Sequence, residues 1–201
     1  MSLRLRAAAL WMPERSMLRM VERVDGATTA ALDDLIRGCG ARPPLLASGT
    51  GGGIGGLEAA RATMASGHDA RVRALVEAVG RDRAVELGRQ ALHQVGVALG
   101  TEAREGLSVG DGPRELEMAA RVLYGALGIH FELERRDDGT MLMRVDRCAL
   151  SHHYSEEACL VLSAADEGVV AGLSPGSSML FDQRMTSGCG TCVARIREAA
   201  G

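Results

Sequence analysis

The chain reads as an α+β protein: N-terminal helices packed on a small antiparallel sheet, with one further helix. Two patterns and their order predict this. From His68 onward, Val72, Leu75, Val76 and Val79 recur at three- and four-residue spacing, and Val85, Leu87, Leu92, Val95 and Leu99 do much the same after Gly80. Such spacing marks amphipathic helices. Ile129 to Arg135 then alternates, Asp138-Gly139 supplies a turn, and Met141 to Val145 alternates back, as in a hairpin. Helices come first and strands later, with no internal repeat.

The bulk composition narrows the function classes. The chain has 201 residues, enough to bury a real core, with 46% hydrophobic residues but only 2% aromatic. A core of Ala, Val, Leu and Met favours close helix packing and leaves little to stack on nucleic-acid bases. The net charge of −3 gives no electrostatic reason to expect a polyphosphate partner. No apolar run approaches a membrane span. Met1 to Met12 carries arginines and a short apolar stretch, but that stretch is too brief for a signal peptide and no small-residue cleavage site follows. Together with an odd set of five cysteines, this predicts a cytoplasmic protein with reduced thiols. The expected partner is a small-molecule substrate, with neither nucleic acid nor membrane, and a homo-oligomer is left open.

Taken in order, Ser16 to Arg37 forms a helix interrupted near Gly26. Gly40-Ala-Arg-Pro-Pro and the glycine-rich 48–56 follow as a flexible connector. The stretch lacks the Gly-Lys-Ser/Thr ending of a phosphate loop. This divides the chain into an N-terminal helical segment with connector, 1–67, and an α+β domain, 68–201. Asp111 is the N-cap candidate of a third helix running to about Leu127. Beyond the hairpin, Ser155 to Ala171 is a helix closed by Gly172-Leu-Ser-Pro-Gly. Met179 to Arg184 and Cys192 to Arg197 are two further strands.

Chemistry concentrates in the cysteines. Cys148, Cys159, Cys189 and Cys192 lie within the C-terminal part, the last two as a Cys-x-x-Cys pair. If the sheet forms as drawn, Cys148 at a strand exit and Cys189 and Cys192 at a strand entry meet at one edge, and Cys159 closes the group. Four thiolates there suit zinc or an iron–sulfur cluster; otherwise no cofactor is expected. His152 and His153 could substitute as ligands. Cys39 and Cys159 also read as small buried apolar residues, and a redox pair at Cys189 and Cys192 is a third reading.

Other polar residues complete a candidate site. His152 follows Cys148 closely enough to take its proton, and Asp166 lies seven residues after Cys159, on the same side of one helix. Arg147 and Arg184 are cations able to hold a substrate carboxylate. His93 and His130 read as structural histidines in apolar surroundings.

From about residue 72 to 197 these features resemble the L-2-amino-thiazoline-4-carboxylic acid hydrolases. The likeness rests on Leu75-Val-Glu-Ala-Val-Gly, Leu127-Gly-Ile-His-Phe-Glu, Val145-Asp-Arg-Cys148, Cys159 with Asp166, Leu173-Ser-Pro175, and Arg184-Met-Thr-Ser-Gly188 ahead of Cys192. A similar tail occurs in 4-vinyl-reductase-like small-molecule-binding domains, some of which hold zinc through cysteines. Ala149 departs from the hydrolase pattern, where proline is frequent, and Cys189 stands where an acidic residue is usual. The resemblance implies a hydrolase opening a small cyclic amidine or thiazoline C–N bond. Cys148 would be the nucleophile, with His152 and Asp166, or else a metal on Cys148, Cys159, Cys189 and Cys192 would act; Arg147 and Arg184 would hold the substrate. The alternative is a small-molecule or redox sensing module with a cysteine-ligated zinc or iron–sulfur cluster.

Overall fold

A computed structural model describes residues 2–45, 56–137 and 139–197. Apart from Gly56, the expected connector at 48–56 lies outside the described residues. The elements are α1 (Leu3–Leu10), α2 (Glu14–Gly38), α3 (Gly56–Val79), α4 (Arg81–Leu107), α5 (Pro113–Ala126), β1 (Ile129–Arg135), β2 (Met141–Cys148), α6 (Glu156–Leu173), β3 (Ser178–Gln183) and β4 (Cys192–Arg197), with a 3-10 turn at Met185–Ser187. This is the α+β architecture expected, with helices preceding and flanking one antiparallel sheet.

The sheet order is β1-β2-β4-β3, so the last strand inserts between the hairpin and β3. All three pairings are antiparallel. Alternation sends Phe131, Met143, Val145, Met179, Cys192, Ala194 and Ile196 into one core with Tyr124 of α5. The opposite face, with Arg144, Arg195 and Arg197, is exposed.

Four local expectations need correction. The α2 helix runs unbroken through Gly26, because a helical glycine costs only about 1 kcal/mol. Its buried Val21, Thr28, Leu32 and Ile36 keep helical spacing on both sides of that glycine, so packing outweighs propensity. The next helix begins at Gly56 rather than His68, so the boundary drawn at residue 67 falls inside α3. Gly112 caps α5 ahead of Pro113, while Asp111 pairs with Arg104 instead. Finally, the arginine-rich N-terminus folds as α1, with Leu5 fully buried against Ala119 and Leu173 among others.

Two features position α6. Ser155 caps its N-terminus by accepting from the Ala158 N–H, and Ser155's own N–H donates to Asp69 Oδ1 of α3 at 2.7 Å. Along α4, Gly88, Gly96 and Gly100 are buried, facing Val161, Ala165 and Val169 of α6; Gly168 and Gly172 of α6 meet His93, Val97 and Thr101 in return. A Cβ at Gly96 or Gly168 would overlap the facing backbone carbonyl, so only glycine permits this approach. Arg89 adds a two-pronged ion pair to Glu167 at 2.7 and 3.0 Å. Among the described residues, no helix is long and apolar enough to cross a membrane.

Candidate functional site: a buried cavity with an open channel

The space between α6, the sheet and the α2–α3 pair is not filled. An inner cavity of about 90 Å³ remains, walled by apolar side chains such as Met64, Leu127, Val145 and Leu162. Its polar lining comes from six elements: Thr28 of α2, His68 of α3, Tyr124 of α5, Cys148 of β2, Cys192 of β4, and Cys159, Ser163 and Asp166 of α6, with Ser151, Tyr154 and Arg184 from loops.

Strand pairing explains the two sheet thiols. Cys148 ends β2, Cys192 begins β4, and Cys192 lies opposite Val145. Cys192 Sγ also accepts from the Met185 N–H at 3.3 Å. Burial pushes the Cys148 thiol up to about 11, against a smaller opposing pull from backbone N–H groups of Leu150 and Ser151. Burial raises Cys159 and Cys192 as well. All three are therefore thiols at neutral pH, and thiolate is the form that attacks carbon or binds metal.

Asp166 is the anomaly of this lining. Enclosure in protein lifts its carboxyl to about 7; Glu167 adds to the rise, while Tyr124 and Arg184 oppose it. Asp166 is half-buried and lines both cavities. Tyr124 Oη lies close enough to the carboxyl to influence it but forms no hydrogen bond of good geometry, and is left without a partner. Tyr124 is only 4% exposed, so no bulk water replaces that partner.

The remaining polar groups are held. Arg184 donates through Nε and Nη2 to Ser163 Oγ at 3.2 and 3.1 Å, and stands 4.0 Å from Glu167. His68, 1% exposed, bridges Thr28 Oγ1 at 2.7 Å through Nε2 and Tyr154 Oη at 3.0 Å through Nδ1. Thr28 gives its own proton to the Val24 carbonyl at 2.7 Å. It can then accept from Nε2–H, leaving Nδ1 to accept from Tyr154. Asp25 Oδ1, 3.5 Å from Nε2, faces the same proton.

Of the residues expected at the site, Cys148, Cys159, Cys192, Asp166 and Arg184 come together around this cavity. His152 and Arg147 are exposed and do not line it, and Cys189 is half-buried outside it. Among the described residues, no three His, Cys, Asp or Glu side chains converge as ligands of a metal ion. His93 and His130 are exposed rather than set in apolar surroundings, and His130 Nδ1 meets Asp146 at 2.7 Å. The Thr28–His68–Tyr154 chain and Tyr124 were not anticipated; Tyr124 and Tyr154 are the chain's two tyrosines, which was the available signal.

A second space, about 530 Å³, runs between α2, α4, α5 and α6. Its mouth holds the exposed Arg19, Arg23 and Glu102, and Arg23 forks onto Glu102 at 2.7–3.2 Å. Val24, Tyr124, Leu127, Ala165 and Asp166 line both spaces.

Comparison with known proteins bears on the fold. No protein-family profile matches the chain, and no curated protein does. Among solved structures, a trafficking protein particle complex subunit 3 from Naegleria fowleri, covalently bound to palmitic acid, superposes with a TM-score of 0.51 at 13% identity. That match covers 68% of this chain and 93% of the other. An H-NOX protein from S. oneidensis in its Fe(II)NO state gives a TM-score of 0.42 at 12% identity, over 89% and 97% of the two chains. The chain thus shares its fold with the Naegleria trafficking subunit.

Proposed function

We propose that the chain is a binding module for a small, predominantly apolar molecule held inside the fold, between α6, the sheet and α2–α3. The observation that carries this reading is the unfilled cavity with a half-buried carboxyl and an unpartnered tyrosine hydroxyl in its lining. Protein interiors rarely leave such space empty, and buried polar groups rarely go unpaired. The fatty acid held by the trafficking subunit is consistent with an apolar occupant, though that likeness extends to the fold alone. A cytoplasmic setting belongs to the same proposal, since an odd set of five cysteines suits a reducing compartment.

The hydrolase suggested by the sequence stands as a second reading, favoured by Cys148, Asp166 and Arg184 lining one cavity. Cys148 Sγ, once deprotonated, would add to the amidine carbon of a thiazoline ring; the ring C–N bond would break with its nitrogen taking up a proton, and water would then cleave the Sγ–C bond, releasing the opened product and restoring the thiol. The raised Cys148 thiol weighs against it, because a base must first remove that proton, and His152 is not in the lining.

One experiment separates the two. The purified chain is screened by thermal shift and native mass spectrometry against apolar small molecules and thiazoline carboxylates, with product analysis on the latter. Retention of apolar compounds and an upward Tm shift, unchanged in Cys148→Ser, is the expected result. Turnover of a thiazoline that Cys148→Ser abolishes would replace the binding reading with the enzymatic one. No retained compound and no turnover would remove both.

A further inference from the structure

The inner cavity alone is small beside the ~300–1,000 Å³ of ordinary ligand pockets, and the channel falls within that range. The two share five lining residues, Tyr124 and Asp166 among them, so this pair stands at the junction between the inner cavity and the channel. The channel wall is apolar along Met20, Leu99, Leu107, Leu123 and Val169, and its charged residues, Arg19, Arg23 and Glu102, stand at the mouth. At the inner end, among the described residues, the buried Tyr124 hydroxyl has no hydrogen-bond partner.

Resting on the binding reading above, we propose that the channel is the main body of the ligand site. It takes a neutral, elongated apolar molecule whose single hydrogen-bond-accepting oxygen, as in a ketone or ester, sits against Tyr124 Oη. The molecule enters beside the Arg23–Glu102 fork, lays its chain along α4 and α5, and places the oxygen at the junction. Neutrality follows from the surroundings. The cation nearest the junction, Arg184, is already spent on Ser163 and Glu167, and the Glu167 charge, which disfavours ionisation of Asp166, would disfavour a ligand carboxylate there too. An ammonium would lose its hydration against an apolar wall without a free carboxylate at the mouth, because Glu102 is held by Arg23.

Gly106 gives a clean test. It lines the channel, and a Cβ there meets nothing within 4 Å on the protein, so Gly106→Leu adds bulk at the channel wall from α4. Leucine also suits the helix better than glycine. The full chain is titrated calorimetrically with 2-nonanone, nonanoic acid and nonylamine, in wild type, Gly106→Leu and Tyr124→Phe. Wild type should bind 2-nonanone best, Gly106→Leu should weaken it by about tenfold or more, and Tyr124→Phe should weaken it about fivefold while matching wild type in Tm without ligand. Equal binding in wild type and Gly106→Leu would overturn the channel and leave the inner cavity as the site. Tighter binding of the acid or the amine would overturn the ligand class. Binding of none of the three, while other apolar compounds are retained, would also overturn the proposal; failure of every apolar compound would overturn the binding reading itself.

Discussion

The two faces of α6 are built to opposite rules. On the α4 side, Gly88, Gly96 and Gly100 meet a helix carrying Gly168 and Gly172 so closely that backbone touches backbone. On the other side, Cys159, Ser163 and Asp166 face space, and the nearest tyrosine hydroxyl has nothing to bond. Rigidity on one face permits looseness on the other. A helix clamped by its neighbour can hold a half-buried carboxyl beside a cavity without collapsing into it.

The comparison breaks most readily at the seam. Gly168→Val would drive a branched side chain into the His93 carbonyl and the Val97 amide, and should cost about 4 kcal/mol or prevent folding outright. Gly26→Val, on a helix face with open space, serves as the control and should be neutral or slightly stabilising, since valine suits a helix better than glycine. Urea unfolding of the pair measures the difference; similar losses would mean that the α4–α6 contact is not specially tight.

The loose face is probed through pH. Unfolded, Asp166 loses its proton in the ordinary carboxyl range near 3.8, whereas folded it keeps the proton until about 7. Folding therefore takes up a proton between those values. The stability tied to this residue is highest in acid, declines as pH rises from about 4 and levels off above 7. Asp166→Asn removes the ionisation, so it should stabilise the fold by about 3 kcal/mol at pH 8 and change it little at pH 4. Chemical denaturation at the two pH values tests this, and an equal gain at both would show that the carboxyl is not held neutral. At the channel mouth the effect should be smallest. Arg23 and Glu102 are 54% and 55% exposed, so Arg23→Ala should cost about 0.5 kcal/mol in the same assay.

How much of this was legible in the sequence follows from the range of each interaction. The hairpin, β4 and the helix start at Ser155 depend on residues a few positions apart, where alternation and turn chemistry speak directly. Cys159 and Asp166 were correctly set on one side of a helix, because seven residues are close to two turns. Helix α1 was missed, since three alanines and two arginines make a weak pattern until Leu5 finds its pocket under α5 and α6. The Thr28–His68–Tyr154 chain joins residues 40 and 86 positions apart, and no local signal pairs them. His152 was attractive by proximity to Cys148, but the turn after β2 aims it at solvent while Leu150 and Tyr154 turn inward.

Cys192 also makes the protein its own stopwatch. Protonated and buried, unlike the half-buried Cys148 and Cys159, it reacts with an alkylating reagent chiefly during moments when the surrounding elements part. Its labelling rate therefore counts openings per unit time, and an occupant that props the interior shut would slow that count without touching sulfur.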